Sequence, residues 1–274
     1  MPRHSSQTPP RSGYAPVNGL SLYYEIVGEG PPLVYIPPAL SHGSAKTFPL
    51  LSADFAVLHV DPQGYGRTAD IPDRPMTLQQ HAHDVVALLD HLEIPQAHCL
   101  GESYGGAIAL LVALHYPNRV GRVATYGATF GPPQVAFNTA MLKFSAPPTP
   151  DSECFRYQRQ QYEAIAPNPG YWPAFWNKTL GMRWDGFSNG ELARIQAPVL
   201  IALGDRDFVR LDHAVDAFSR LPNAELTVIP DAGHFALFSE PERVVPAIRH
   251  FLAKPLSRPP VASSEAGYQP GATR

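Results

Sequence analysis

Gly101-Glu102-Ser103-Tyr104-Gly105 sets a serine midway between two glycines. A serine hydroxyl attacks carbonyl carbon only when a base takes its proton and an acid fixes the tautomer of that base. The chemistry open to Ser103 is therefore nucleophilic acyl transfer, provided that the fold delivers such partners. A serine at the tip of a sharp strand-to-helix turn has unfavourable backbone angles, and the positions two before and two after it must be nearly free of side chain. Gly101, Gly105 and the additional Gly106 meet that demand. Ala97 to Leu100 upstream is a short, mostly apolar run suited to a strand, and Ala107 to Leu114 downstream is long enough for a buried helix.

The elements around this turn read as alternating strands and helices. Val17 to Val27 carries Asn18-Gly19 between strand-forming residues and predicts an opening hairpin. Leu33 to Ile36 and Phe55 to Val60 are continuous apolar runs fit for interior parallel strands. Thr77 is the expected N-cap of a helix reaching about Leu92. Beyond the turn come an apolar run at Val120 to Thr125, a strand at Val199 to Leu203 and a helix around Leu211 to Arg220. A strand at Glu225 to Ile229 and a helix from about Pro241 to Lys254 follow. This alternation predicts the α/β class, with a mostly parallel, doubly wound sheet covered on both faces, and such sheets bind ligands beyond the carboxyl ends of their strands. The stretch from about 131 to 196 interrupts it. Eight of its residues are the prolines 132, 133, 147, 148, 150, 167, 169 and 173, and it holds Trp172, Trp176 and Trp184. It reads as a small helical cap inserted in one domain spanning 14–254, with short helices near Arg156 to Ala164 and Pro173 to Leu180. Residues 1–13 and 255–274 read as disordered tails rich in proline and serine.

Length and composition bound the function. The chain has 274 residues, 44% of them hydrophobic, enough for one sizeable core. A formal net charge of -3 gives no electrostatic footprint for nucleic acid or an anionic membrane, so the expected partner is a small molecule; a homodimer is compatible with the sequence but not specified by it. The two cysteines, Cys99 and Cys154, form no C-x-x-C pattern, and neither a disulfide framework, a metal site nor a cofactor is expected. Without an apolar segment near the start, the chain reads as cytoplasmic.

On the Gly101 to Gly105 motif and its strand-turn-helix setting, Val17 to Lys254 resembles the α/β-hydrolase superfamily, in its serine-nucleophile, esterase-like branch with a helical cap. The resemblance implies a nucleophile, acid and histidine in that chain order, the acid after a late strand and the histidine after the last. His234, in Pro230-Asp231-Ala232-Gly233-His234-Phe235, directly follows the final strand and is the expected base. Asp205 and Asp207 both follow the Val199 to Leu203 strand; the strand-Gly-x-x-Asp pattern of the family matches Asp207. Asp61 to Thr68 resembles the family's Asp-x-Arg-Gly-x-Gly-x-Ser loop, with Gln63 in place of the usual arginine. The family's common His-Gly after the strand equivalent to Leu33–Ile36 is replaced by Pro37-Pro38, with His42-Gly43 coming later. Prolines have no N–H, so the expected oxyanion donors are the backbones of Ala39 and Tyr104. Phe130, Met141, Phe144, Tyr157, Trp172 and Trp176 are candidates to line an apolar substrate pocket. The activity implied is cofactor-free cleavage of a carboxylic ester or lactone through an acyl-enzyme. Carbon–carbon bond hydrolysis and acyl transfer use the same triad, and a ligand-binding sensor with little turnover uses the same scaffold.

Overall fold

A computed structural model of the chain describes residues 11–41, 46–138 and 149–255, apart from the side chain of Cys154. Among these residues eight strands form one sheet: β1 (Arg11–Val17), β2 (Leu20–Val27), β3 (Pro32–Ile36), β4 (Ala56–Val60), β5 (Ala97–Glu102), β6 (Val120–Tyr126), β7 (Val199–Gly204) and β8 (Ala224–Ile229). Their order across the sheet is β1-β2-β4-β3-β5-β6-β7-β8. β1 pairs antiparallel with β2, and β2 antiparallel with β4; every pairing from β4 to β8 is parallel. The hairpin turns at Asn18 and Gly19, both at positive φ, the geometry that lets a two-residue turn follow the twist of its strands. β1 begins at Arg11, which pairs with Ile26, so the sheet claims residues 11–13 that composition assigned to the tail; an edge strand is held by its backbone ladder and needs no apolar pattern of its own.

Ten helices accompany the described strands: α1 (Thr47–Leu51), α2 (Leu78–His91), α3 (Tyr104–His115), α4 (Pro133–Ala136), α5 (Arg156–Ile165), α6 (Trp172–Leu180), α7 (Asn189–Arg194), α8 (Leu211–Arg220), α9 (Ala236–Ser239) and α10 (Pro241–Leu252). One face of the sheet packs with α2, α3, α7 and α8, the other with α1, α9 and α10. α3 is buried on every side from Gly105 to Leu114, which is why its sequence shows no polar stripe. Thr77 caps α2, its hydroxyl accepting from the Gln80 N–H at 3.0 Å. Four of the ten, α4 to α7, lie between β6 and β7.

The segment between β6 and β7 builds a third apolar cluster. Tyr162 of α5 and Trp172, Phe175 and Trp176 of α6 pack with Tyr65 and Met76 of the main body. A polar clasp fastens it: Lys178 Nζ lies 2.8 and 2.9 Å from the two oxygens of the buried Asp70 carboxylate and also donates to the carbonyls of Ile71 and Pro72. Tyr171 Oη and Gln63 Nε2 donate to the same carboxylate. Gln63, standing where the resemblance implied arginine, thus works in the anchor of this segment. Among the described residues no helix is long and apolar enough to cross a membrane.

Candidate active site

The parallel strands end on one edge, and β5, β7 and β8 each deliver one side chain there. Ser103 follows β5 with φ 54° and ψ -120°, a combination that L-residues rarely adopt. It is held by backbone: its N–H donates to the Tyr126 carbonyl at 2.9 Å, and its own carbonyl accepts from Gly106 N–H at 3.0 Å. The turn is closed too tightly for a methyl group. A Cβ on Gly101 would fall on the Gly105 carbonyl, and one on Gly105 on the Ile36 carbonyl at the end of β3. The elbow glycines are therefore required by close approach of backbone to backbone.

His234 leaves β8 on a loop tied down at several points. Tyr126 Oη donates to the Gly233 carbonyl at 2.8 Å, Arg206 N–H to the Ala232 carbonyl at 3.0 Å, and Arg243 to the carbonyls of Asp231 and Pro230. The imidazole bridges two partners, with Nε2 3.1 Å from Ser103 Oγ and Nδ1 2.8 Å from Asp207 Oδ1. Because an ionised carboxylate only accepts, the proton sits on Nδ1 and Nε2 is left to accept from the serine. The Phe208 ring lies against the imidazole at 3.9 Å between centroids. All three side chains are buried.

Asp207 Oδ1 also accepts from Val209 N–H at 2.8 Å, while Oδ2 is buried with no hydrogen-bond partner. Gly127 explains how the pair fits: a Cβ there would stand 2.8 Å from His234 Nδ1 and 2.9 Å from Asp207 Oδ2. Asp205 lies apart, about two-fifths exposed and 3.9 Å from its neighbour Arg206. Of the two aspartates, the structure brings only Asp207 to the histidine.

The other expected residues are more scattered. Tyr104 opens α3 directly after Ser103. Ala39 lies in the loop after β3, beside Leu40 at φ 62°. Trp172 and Trp176 are wholly buried inside the β6–β7 segment, Phe130 is buried beside His213, and Tyr157 is half exposed with its ring near Phe238. Met141, Phe144 and His42-Gly43 lie outside the described residues. A small gap of about 10 Å³, bordered by Leu40, Ser41, Tyr65, Gly66, Tyr162 and Phe175, lies where the β6–β7 segment meets the body. Residue reading missed Leu40 and Tyr162 as borders of this gap; Tyr65 sits in the Asp61–Thr68 loop, which is singled out by its resemblance to the family's. A larger concavity of about 500 Å³ lies elsewhere, along α2 among Asn18, Arg74, Gln80, His83, Asp90 and Tyr116.

Burial shapes the remaining titratable groups. Glu102, the residue before Ser103, is raised to about 7, chiefly by burial, with the Tyr35 hydrogen bond pulling the other way. Asp61 is likewise raised to about 7 by burial, against the opposing hydrogen bond from Arg67 N–H. Cys99 is a free thiol, and burial pushes it up to about 12. Among the described residues no cluster of three or more His, Cys, Asp or Glu could hold a metal ion.

This geometry has relatives. The chain is 28% identical to 2-hydroxy-6-oxononadienedioate/2-hydroxy-6-oxononatrienedioate hydrolase 2 of Pseudomonas putida, in a match that covers 81% of this chain and 88% of the relative. It is 28% identical over 232 residues, 77% of this chain and 81% of the relative, to poly(3-hydroxyalkanoate) depolymerase of Ectopseudomonas oleovorans. Among solved structures, a meta-cleavage product hydrolase from Pseudomonas fluorescens superposes with a TM-score of 0.73 at 23% identity, covering 88% of this chain and 97% of that one. The model of the alpha/beta hydrolase family matches residues 32–247, from β3 into α10 and so across all three positions that meet at the sheet edge. The chain belongs to the alpha/beta hydrolase family.

Proposed function

We propose that the protein is a serine hydrolase cleaving a carboxylic ester or lactone of a small, largely apolar substrate through an acyl-enzyme. The observation that carries this reading is the continuous hydrogen-bonded chain from Ser103 Oγ through His234 to Asp207 at 3.1 and 2.8 Å. Ser103 Oγ attacks the carbonyl carbon while its proton passes to His234 Nε2. Asp207 stabilises the imidazolium that forms. The carbonyl oxygen, now an alkoxide, faces the backbone N–H groups of Ala39 and Tyr104. Collapse breaks the bond to the leaving alkoxy oxygen, which takes the proton from His234. Water then repeats the sequence on the acyl group and frees Ser103.

The β6–β7 segment acts as the cap, and the aromatic borders at Tyr65, Tyr162 and Phe175, with Phe208 and Phe235 beside His234, favour an apolar acyl group. A fluorophosphonate should label the wild type and leave Ser103→Ala unlabelled. That variant should lose ester turnover by on the order of 10⁶-fold while remaining folded. Undiminished labelling of Ser103→Ala would reject the nucleophile.

A second reading, carbon–carbon bond hydrolysis, is supported by the hydrolase of Pseudomonas putida named above. A vinylogous 1,5-diketone assayed beside an ester panel of increasing acyl length separates the two. Turnover of the diketone at a higher kcat/KM than every ester would favour the second reading.

A further inference from the structure

Glu102 is a buried carboxyl one residue from the nucleophile, and acyl transfer through Ser103, His234 and Asp207 gives it no part. It closes β5, and its side chain is 1% exposed. Oε2 accepts from Tyr35 Oη at 2.9 Å, across from β3, whereas Oε1 is buried with no hydrogen-bond partner. The titratable groups facing it come from four directions. Tyr35 stands on β3, with the His59 ring of β4 at 6.0 Å beyond it; Tyr126 stands on β6; Asp207 and His234 arrive from the loops after β7 and β8. His59 in turn lies 3.3 Å from Asp61. Among these, the His234 imidazole is the group that turns cationic when Ser103 gives up its proton. A half-satisfied carboxyl in such a place costs stability.

We propose that Glu102 is a positioning residue for the proposed serine chemistry: when ionised, its carboxylate, hydrogen-bonded by the Tyr35 hydroxyl, stabilises the His234 imidazolium while Ser103 attacks. The proposal rests on the serine-hydrolase reading and adds to it a second negative charge, supplied from the end of the elbow strand itself, one residue before Ser103. Protonation of Glu102 leaves the Ser103–His234–Asp207 chain intact but withdraws that charge. Reactivity at Ser103 therefore depends on the ionisation of a group that never touches substrate. Since burial raises Glu102 to about 7, the dependence falls near neutral pH.

The test uses the rate at which a fluorophosphonate labels Ser103, so that it needs no knowledge of the substrate. In that reaction the Ser103 Oγ–P bond forms, P–F breaks, fluoride leaves and the proton goes to His234. The quantity read is the ratio of wild-type to variant rate against pH, judged at its high- and low-pH limits, where both proteins carry His234 in the same form. For Glu102→Gln the ratio should be about 10 above pH 8 and fall towards 1 below about pH 6, the size that one pKa unit of lost interaction gives. For Tyr35→Phe, loss of the donor raises Glu102 further, so the ratio should peak near neutrality and return towards 1 by about pH 9, a rescue that Glu102→Gln cannot show. A ratio constant with pH for either variant, with Ser103 still labelled in the wild type, overturns the role of Glu102 and leaves the serine-hydrolase reading standing. Failure of the wild type to label at all overturns both. Should Glu102→Gln not fold, the Tyr35→Phe profile decides alone.

Discussion

The elbow at Ser103 and the β6–β7 segment are held by opposite means. Around Ser103 backbone presses on backbone, Gly101 on Gly105 and Gly105 on the end of β3, and the bare Gly127 backbone lies against the His234 and Asp207 side chains. The β6–β7 segment is held by side chains, with rings of Tyr162, Trp172, Phe175 and Trp176 packed among themselves and one ammonium, Lys178, seated on the Asp70 carboxylate. Rigid backbone contact fixes positions to fractions of an ångström, which proton transfer needs. Ring packing fixes volume instead, and volume can be redistributed among aromatic neighbours without moving the sheet. The contrast predicts that one methyl group at the elbow damages chemistry, whereas large deletions in the β6–β7 segment damage stability or selectivity.

The sharpest way to break this comparison is at the acid. Asp207→Asn should lower kcat by on the order of 10⁴, because the amide favours the wrong imidazole tautomer, and Asp205→Asn should cost far less. Steady-state kinetics of the two variants, if reversed, would move the acid to Asp205. A smaller effect follows from Gly127→Ala, whose Cβ lands on both His234 and Asp207 at a backbone of φ 57°. A displacement of about 1 Å there should cost about 10²-fold in kcat, with KM nearly unchanged. A Gly127→Ala enzyme of normal kcat would show that the pair is not held by close approach.

The smallest effects on chemistry belong to the β6–β7 segment. Trp176→Ala should lower stability by about 3–5 kcal/mol, read as a fall in Tm, and leave the relative rates on short and long acyl esters in place. Tyr162→Ala, at the border of the gap, should shift the preference towards longer acyl chains. If Trp176→Ala changed the acyl preference and Tyr162→Ala did not, the division between interior packing and pocket wall would be wrong.

The parts of the fold written in short-range patterns were legible in the sequence. Asn18-Gly19 foretold the hairpin, Thr77 the start of α2, and the alternation of runs the parallel sheet. Chain order and the family resemblance implied that Ser103, Asp207 and His234 would meet, since residues 27 and 131 positions apart carry no local signal of contact. Less legible were features whose cause is tertiary. β1 starts at Arg11 because β2 offers it a ladder, and Lys178 meets Asp70 because two segments dock. α7 was missed although its signal was present: Ser188 and Glu191 form a capping box, the S-x-x-E pattern of a helix start. Trp172 and Trp176 show the limit of reading aromatics as pocket wall, since spacing on one helix face says that they are covered but not by what.

The backbone angles of Ser103 bear on the energy of the fold as a whole. A residue held at φ 54° and ψ -120° stores strain of about 1–3 kcal/mol, which the rest of the molecule must offset. At ordinary positions glycine makes a protein less stable than alanine does, by about 0.5–1 kcal/mol. Here the order should invert, with Ser103→Gly melting at a higher temperature than Ser103→Ala, although both are inactive. Thermal endurance and reactivity then pull against each other at one residue, and selection for heat resistance alone would erode the nucleophile first.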